Sequence, residues 1–146
     1  GIQNVEVVAG ASFVHRTQLE LALRSAKFEW KVLDFLPTLL PAYMRNDICL
    51  VAGGLAMYEV CRVGIPSVAI PQSIDHQNEL STRLQKEGAM LTVGWGDEAT
   101  VHEIADQVRL LITDTLRCRK MSDAGKMLVD GRGAQRIAGI LQDLTA

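Results

Sequence analysis

The apolar and polar positions of the chain switch between two periods. "VEVVAGA" (5–11) is β-branched and apolar and runs into a Gly-Ala-Ser turn signal, which predicts a strand. In "HRTQLELALRSA" (15–26), Leu19, Ala22, Leu23 and Ala26 recur at helical spacing. "EWKVLDF" (29–35) alternates like a strand with one polar face. "PTLLPAYMRN" (37–46) predicts a short helix opened by Pro37, with Pro41 still close enough to the start for its missing N–H to cost little. "DICLVA" (47–52) is a continuous apolar run of the kind found in parallel strands buried on both faces. "LAMYEVCRV" (55–63) is a helix stopped by Gly64 and Pro66, and "SVAIP" (67–71) is a strand. "HQNELSTRLQKEG" (76–88) is a helix with a glycine C-cap, and "AMLTVGW" (89–95) is the last strand. Three helices follow, over 98–114, 115–129 and 133–144.

Strands alternating with helices imply parallel pairing through right-handed crossovers, with helices on both faces of the sheet. The expectation is a doubly wound, Rossmann-like α/β fold of about five parallel strands with a helical C-terminal tail. No repeat or interdomain linker interrupts it, so 1–146 reads as a single domain. The 146 residues are 48% apolar and 22% charged, enough to bury a core. A net charge of −2 provides no long-range attraction to nucleic acid or anionic membrane. No apolar run is long enough for a transmembrane segment and no secretory leader is legible. Cys49, Cys61 and Cys118 are odd in number, lack metal-ligand spacing and read as free thiols of a reducing cytoplasm. No H-x-x-x-H pair is present among His15, His76 and His102, so no metal is expected. The "RCRK" run (117–120) reads as a solvated helix face.

Gly53-Gly54 stands where "DICLVA" meets "LAMYEV". In open parallel sheets ligands bind beyond the carboxyl ends of the strands, where helix N-termini present unpaired N–H groups and partial positive charge. Glycines there let a backbone approach phosphate oxygens; equally, the pair can be a tight turn and nothing more. It is neither a P-loop nor G-x-G-x-x-G, and "VVAGASFVHR" (7–16) lacks the later glycine of a dinucleotide turn. Glu59, one turn into the helix, is either a solvated charge or an acceptor for a ribose diol. "PQSIDHQNELSTRL" (71–84) brings Gln72, Ser73, Asp75, His76, Gln77 and Asn78 to the same sheet edge. Asp75 suits an N-cap, while the amides of Gln77 and Asn78 suit sugar hydroxyls.

Taken in order, these stretches resemble the C-terminal, donor-binding domain of GT-B glycosyltransferases. The shared pattern is a strand, Gly-Gly, Glu in the helix, "G-x-P-x-x-x-x-P", then a loop with amides. The chain looks like the bacterial N-acetylglucosaminyltransferase that makes lipid II, and more like the UDP-sugar hydrolase of pseudaminic acid biosynthesis and the spore-coat polysaccharide glycosyltransferases. The tail "MSDAGKMLVDGRGAQRIAGIL" (121–141) is similar to the ending of that hydrolase group. The resemblance implies that Gly53, Gly54 and the backbone N–H groups of Leu55 and Ala56 meet a diphosphate, and that Glu59 takes the ribose hydroxyls. It further implies that Phe35 and Leu36 frame the uracil ring, and that Gln77 and Asn78 reach the diphosphate or sugar. Ala56 departs from the Ser/Thr common in that loop, and His76 stands where the hydrolases tend to have Asn.

In the family this domain begins with an earlier, mid-sheet strand and follows a whole N-terminal domain that carries the acceptor site and base. On that comparison the chain is a fragment of a longer two-domain enzyme, holds half the cleft and does not turn over alone. A sheet without that strand exposes edges and invites self-association. The expected function is the UDP-sugar-binding half of a glycosyltransferase or UDP-sugar hydrolase in bacterial surface glycan or nonulosonic acid biosynthesis. The alternative is a non-catalytic binding module of the same fold, fused for instance to a cytidylyltransferase. No cofactor and no catalytic residue is assigned: His15 and His102 suggest bases, but each reads as a surface or capping residue of an amphipathic helix.

Overall fold

A computed structural model describes residues 1–72, 76–94 and 99–145 of the chain. The chain divides into two units, Gly1–Leu39 and Leu40–Ala146. The first holds β1 (Asn4–Val8), α1 (Arg16–Leu23) and β2 (Glu29–Leu33). The second holds α2 (Leu40–Met44), β3 (Cys49–Ala52), α3 (Leu55–Val63), β4 (Ser67–Ile70), α4 (His76–Lys86), β5 (Leu91–Thr92), α5 (Val101–Thr113), α6 (Thr115–Leu128) and α7 (Gly133–Thr145).

The five expected strands are present and every pairing is parallel, in open sheets. They form two ladders, β1–β2 in the first unit and β3–β4–β5 in the second, where one sheet was expected. In the first ladder Glu6 stands opposite Lys31, and their side chains form an ion pair at 2.8 Å. In the second, β4 is the middle strand. Its Ser67, Val68 and Ala69 are wholly buried, as a strand covered on both faces requires. Val68 packs with Leu91, Val93, Leu111 and Met121, so strands and the helices α5 and α6 share one core. On α3, Met57, Val60 and Cys61 form the buried stripe while Leu55, Tyr58 and Glu59 face out. All three cysteines are free, and burial pushes the thiols of Cys49 and Cys61 up to about 11.

Several element ends differ from the sequence expectation for identifiable reasons. α2 starts at Leu40, later than the expected 37, which leaves Pro41 in the first turn where no N–H is needed. β5 spans Leu91–Thr92, starting later than the expected 89, and the Val93 N–H still donates to the Ala69 carbonyl of β4 (3.2 Å). The Ala89 N–H donates to the Leu84 carbonyl at the end of α4 (2.9 Å), and the Thr92 N–H to Gln85 Oε1 (2.8 Å). The break between α5 and α6 falls where expected. Asp114 ends α5 through its own N–H to Leu110 O (3.0 Å) and caps α6 by accepting from the Arg117 N–H (2.8 Å). The Thr100 hydroxyl accepts from the Glu103 N–H at the start of α5. The expected cap at Asp75, the helix start at 98 and the end of the last strand at 95 lie outside the described residues.

Met121 is both a core side chain and a hydrogen-bond acceptor, taking the buried Ser67 N–H on its sulfur at 3.4 Å. Met121→Ala is expected to lose about 2–4 kcal/mol in denaturant titration, from the cavity and from the stranded N–H. At the joint before α7, Asp130 accepts from the Arg136 guanidinium (2.6 Å) and from the Arg132 N–H (2.9 Å). These bonds, the Arg136 one foremost, hold its carboxyl at about 2, below the ordinary 3.8. A depressed carboxyl contributes stability above its unfolded value and loses that contribution as pH falls toward the folded one. Helicity should therefore fall between about pH 4 and pH 2 in circular dichroism, and Asp130→Asn should flatten that part of the curve.

Candidate functional site

The C-terminal edge of the β3–β4–β5 ladder gathers the two loops that carry polar candidates. β3 passes into α3 within two residues, Gly53 and Gly54. Gly54 sits at φ +105°, ψ −149°, a region that side chains keep other residues out of, and acts as the N-cap residue of α3. Among the described residues nothing comes within 4 Å of where its Cβ would stand. Leu55 behind it is 78% exposed. Gly54 has no side chain with which to cap this helix start; the Met57 N–H donates to the Gly54 carbonyl (3.1 Å), and the N–H groups of Leu55 and Ala56 precede the first intrahelical bond. The turn therefore offers backbone donors and the positive end of α3 to an anion.

Gly53 serves a different purpose. The side chain of Gln77, from the first turn of α4, occupies the space a Cβ at 53 would fill. Its Oε1 accepts from the Gln72 N–H at 3.0 Å. Because that backbone group can only donate, the atom facing it is the oxygen, and the Gln77 NH₂ remains a donor. Gln72 in turn donates its side-chain amide to the Ile70 carbonyl (3.0 Å). The Gln77 amide thereby ties the loop after β4 to the first turn of α4 and packs over Gly53 in the loop after β3.

Glu59 lies on α3 four residues beyond Leu55, hence about 6 Å further along the axis and on the same outward face. Its carboxylate is exposed and its Oε2 accepts from the Tyr43 hydroxyl at 3.0 Å. Tyr43 is only 6% exposed, and burial, aided by the neighbouring Glu59, raises its phenol well above the ordinary tyrosine value. Sequence reasoning did not single out Tyr43. The available signal was its hydroxyl among the apolar residues of "LPAYM", since a buried tyrosine needs a partner for its O–H.

The structure thus brings together Gly53, Gly54, Leu55, Ala56, Glu59 and Gln77. Asn78, half-buried in the same turn of α4, gives its backbone carbonyl to the Ser81 hydroxyl. Phe35 and Leu36 belong to the first unit, just past the end of β2, with Phe35 69% exposed. His15 stands at the N-cap of α1 with its ring 3.1 Å from Gln18 Oε1, and His102 is a surface residue of α5 beside Asp106. Among the described residues, no three His, Cys, Asp or Glu side chains converge as metal ligands, and no helix is long and apolar enough to cross a membrane.

The parallel α/β arrangement, with a glycine-opened helix start at the strand ends, matches the C-terminal half of the GT-B fold in a solved structure described below. The chain is a member of the glycosyltransferase family 28 C-terminal domain family, whose profile matches residues 3–137. It is 27% identical over 146 residues to the spore coat polysaccharide biosynthesis protein SpsG of Bacillus subtilis (strain 168), covering 97% of this chain and 41% of that protein. It is 31% identical over 119 residues to the UDP-N-acetylglucosamine--N-acetylmuramyl-(pentapeptide) pyrophosphoryl-undecaprenol N-acetylglucosamine transferase of Sorangium cellulosum (strain So ce56), covering 78% of this chain and 29% of that one. Among solved structures, MurG of Acinetobacter baumannii shares the fold with a TM-score of 0.78 at 22% identity, over 97% of this chain and 41% of that one. The chain therefore spans less than half the length of these relatives.

The two glycines are expected to fail for different reasons. Gly54→Ala forces a side chain into its positive-φ torsion and should cost about 1–3 kcal/mol in chemical denaturation. Gly53→Ala should also destabilise, by driving out Gln77, and adding Gln77→Gly should recover part of that loss.

Proposed function

We propose that this chain is the UDP-sugar-binding half of a longer glycosyltransferase or UDP-sugar hydrolase that acts in bacterial surface glycan or nonulosonic acid biosynthesis. The observation that carries the reading is on α3: a first turn opened by Gly54 with no side-chain cap and, one turn on, an outward carboxylate held by a tyrosine. A turn of backbone donors suits a diphosphate, and a carboxylate suits the two hydroxyl donors of a ribose. The spacing of about one helical turn fits the way a nucleoside diphosphate separates those groups. The relatives named for UDP-N-acetylglucosamine and for spore-coat polysaccharide support a nucleotide-sugar ligand.

In this reading the N–H groups of Leu55 and Ala56 and the torsion of Gly54 receive the diphosphate, while Glu59 grips the pentose. Gln77, oriented by its bond to the Gln72 N–H, offers its NH₂ to the phosphate or sugar, with Asn78 beside it. When the bond between the sugar and the diphosphate oxygen breaks, negative charge grows on the leaving diphosphate. Fixed backbone dipoles stabilise that charge without reorganising. Ala56, lacking a hydroxyl, leaves this task to the backbone. The domain supplies the leaving-group side of the reaction, and the base and acceptor belong to the remainder of the protein.

Isothermal titration of the intact protein checks this directly. UDP and UDP-N-acetylglucosamine should bind, CMP and NAD should not, and Glu59→Ala should weaken UDP by about tenfold to a hundredfold. Equal affinity for CMP, or UDP binding indifferent to Glu59→Ala, would overturn the reading.

A further inference from the structure

We propose that Tyr43 is a positioning residue for Glu59: its phenolic O–H holds one carboxylate oxygen so that the carboxylate is set in advance to accept from the ribose hydroxyls of a bound nucleoside diphosphate. The inference deepens the proposed function and rests on the reading of Glu59 as a ribose acceptor.

The geometry is specific. The bond runs from Tyr43 on α2 to Glu59 Oε2 on α3, across 16 positions of sequence, at 3.0 Å. It is a tertiary contact, independent of the helical spacing that pairs neighbours within one element. Its two ends differ in environment: the tyrosine is buried and the glutamate exposed. An outward-facing glutamate with three free torsions samples many rotamers, and a ligand that must freeze it loses affinity by doing so. A buried phenol has no such freedom. Fixing Oε2 to it orients the carboxylate plane before the ligand arrives and leaves Oε1, together with a second lone pair on Oε2, available to accept.

The direction of the bond is unambiguous. An ionised carboxylate only accepts, so the phenol donates. Burial and the adjacent Glu59 keep that phenol protonated across the physiological range. The hydroxyl therefore orients and takes no part in proton transfer. Its location also explains why a polar atom is tolerated at a site this buried: the ring packs inside, and the oxygen reaches an acceptor at the rim.

The test uses the intact protein, Tyr43→Phe, and two probes, UDP and 2′,3′-dideoxy-UDP. If Tyr43 acts through Glu59 on the ribose, Tyr43→Phe weakens UDP by about three- to tenfold and leaves dideoxy-UDP unchanged, with the melting temperature shifted by no more than a few degrees. In a Glu59→Ala background, Tyr43→Phe then produces no further loss, because its only route to the ligand is gone. An equal loss for both probes, no loss for either, or a further loss in the Glu59→Ala background each overturns the proposal. The Glu59→Ala titrations separate the two levels. If wild type prefers UDP to the dideoxy nucleotide and Glu59→Ala abolishes the preference, the ribose reading stands whatever Tyr43→Phe does. If wild type shows no preference, or Glu59→Ala keeps it, that reading fails and takes the tyrosine proposal with it.

Discussion

A parallel strand that must become a helix within two residues has few backbone routes, and the one taken after β3 passes through a torsion that only glycine enters without strain. Gly54 at φ +105° turns the chain so that α3 starts at the strand ends, at Leu55. The rest of the candidate site inherits its position from that turn. Glu59 faces the same way as Leu55 because four residues complete roughly one helical turn, and Gln77 reaches Gly53 because no Cβ blocks it.

The surroundings of α3 show why this turn is held firmly. Its inner stripe of Met57, Val60 and Cys61 is buried, and the α6 helix packs close to it, with Gly125 against the Cys61 backbone. The neighbouring β4 is covered on both faces, so the ladder beneath the site cannot shift without opening the core. Polar groups at the edge are tied down one by one: Gln77 by the Gln72 N–H, Gln72 by the Ile70 carbonyl, Glu59 by Tyr43. Such support would suit the anion site proposed above, since donors aimed in advance lose little on binding.

Membership of the family 28 C-terminal domain family and a span below half of its relatives set the scale of the functional reading. On the function proposed above, the described residues would serve one side of a reaction, with backbone donors for a departing diphosphate and a carboxylate acceptor for the ribose. His15 stands at the N-cap of α1 and His102 on the surface of α5, the capping and surface roles read from the sequence. That division of labour follows from the chemistry. A leaving group and an attacking nucleophile approach the reacting centre from opposite sides, and a second domain can close on the first to complete the arrangement.

Much of this was legible in the residue pattern, because hydrophobic period and turn chemistry are local. The order of strands and helices, the stop of α3 at Gly64, the division of α5 from α6 and the meeting of Gly53-Gly54 with Glu59 all follow from neighbours within a few positions. What only the tertiary structure decided involves partners distant in sequence. The strands form two ladders, the Ala89 N–H turns to the Leu84 carbonyl ahead of β5, Gln77 fills the space over Gly53, and Tyr43 finds Glu59. Periodicity reports that a side chain faces inward or outward. Which atom it then meets depends on how whole elements pack, and that information is spread along the entire chain.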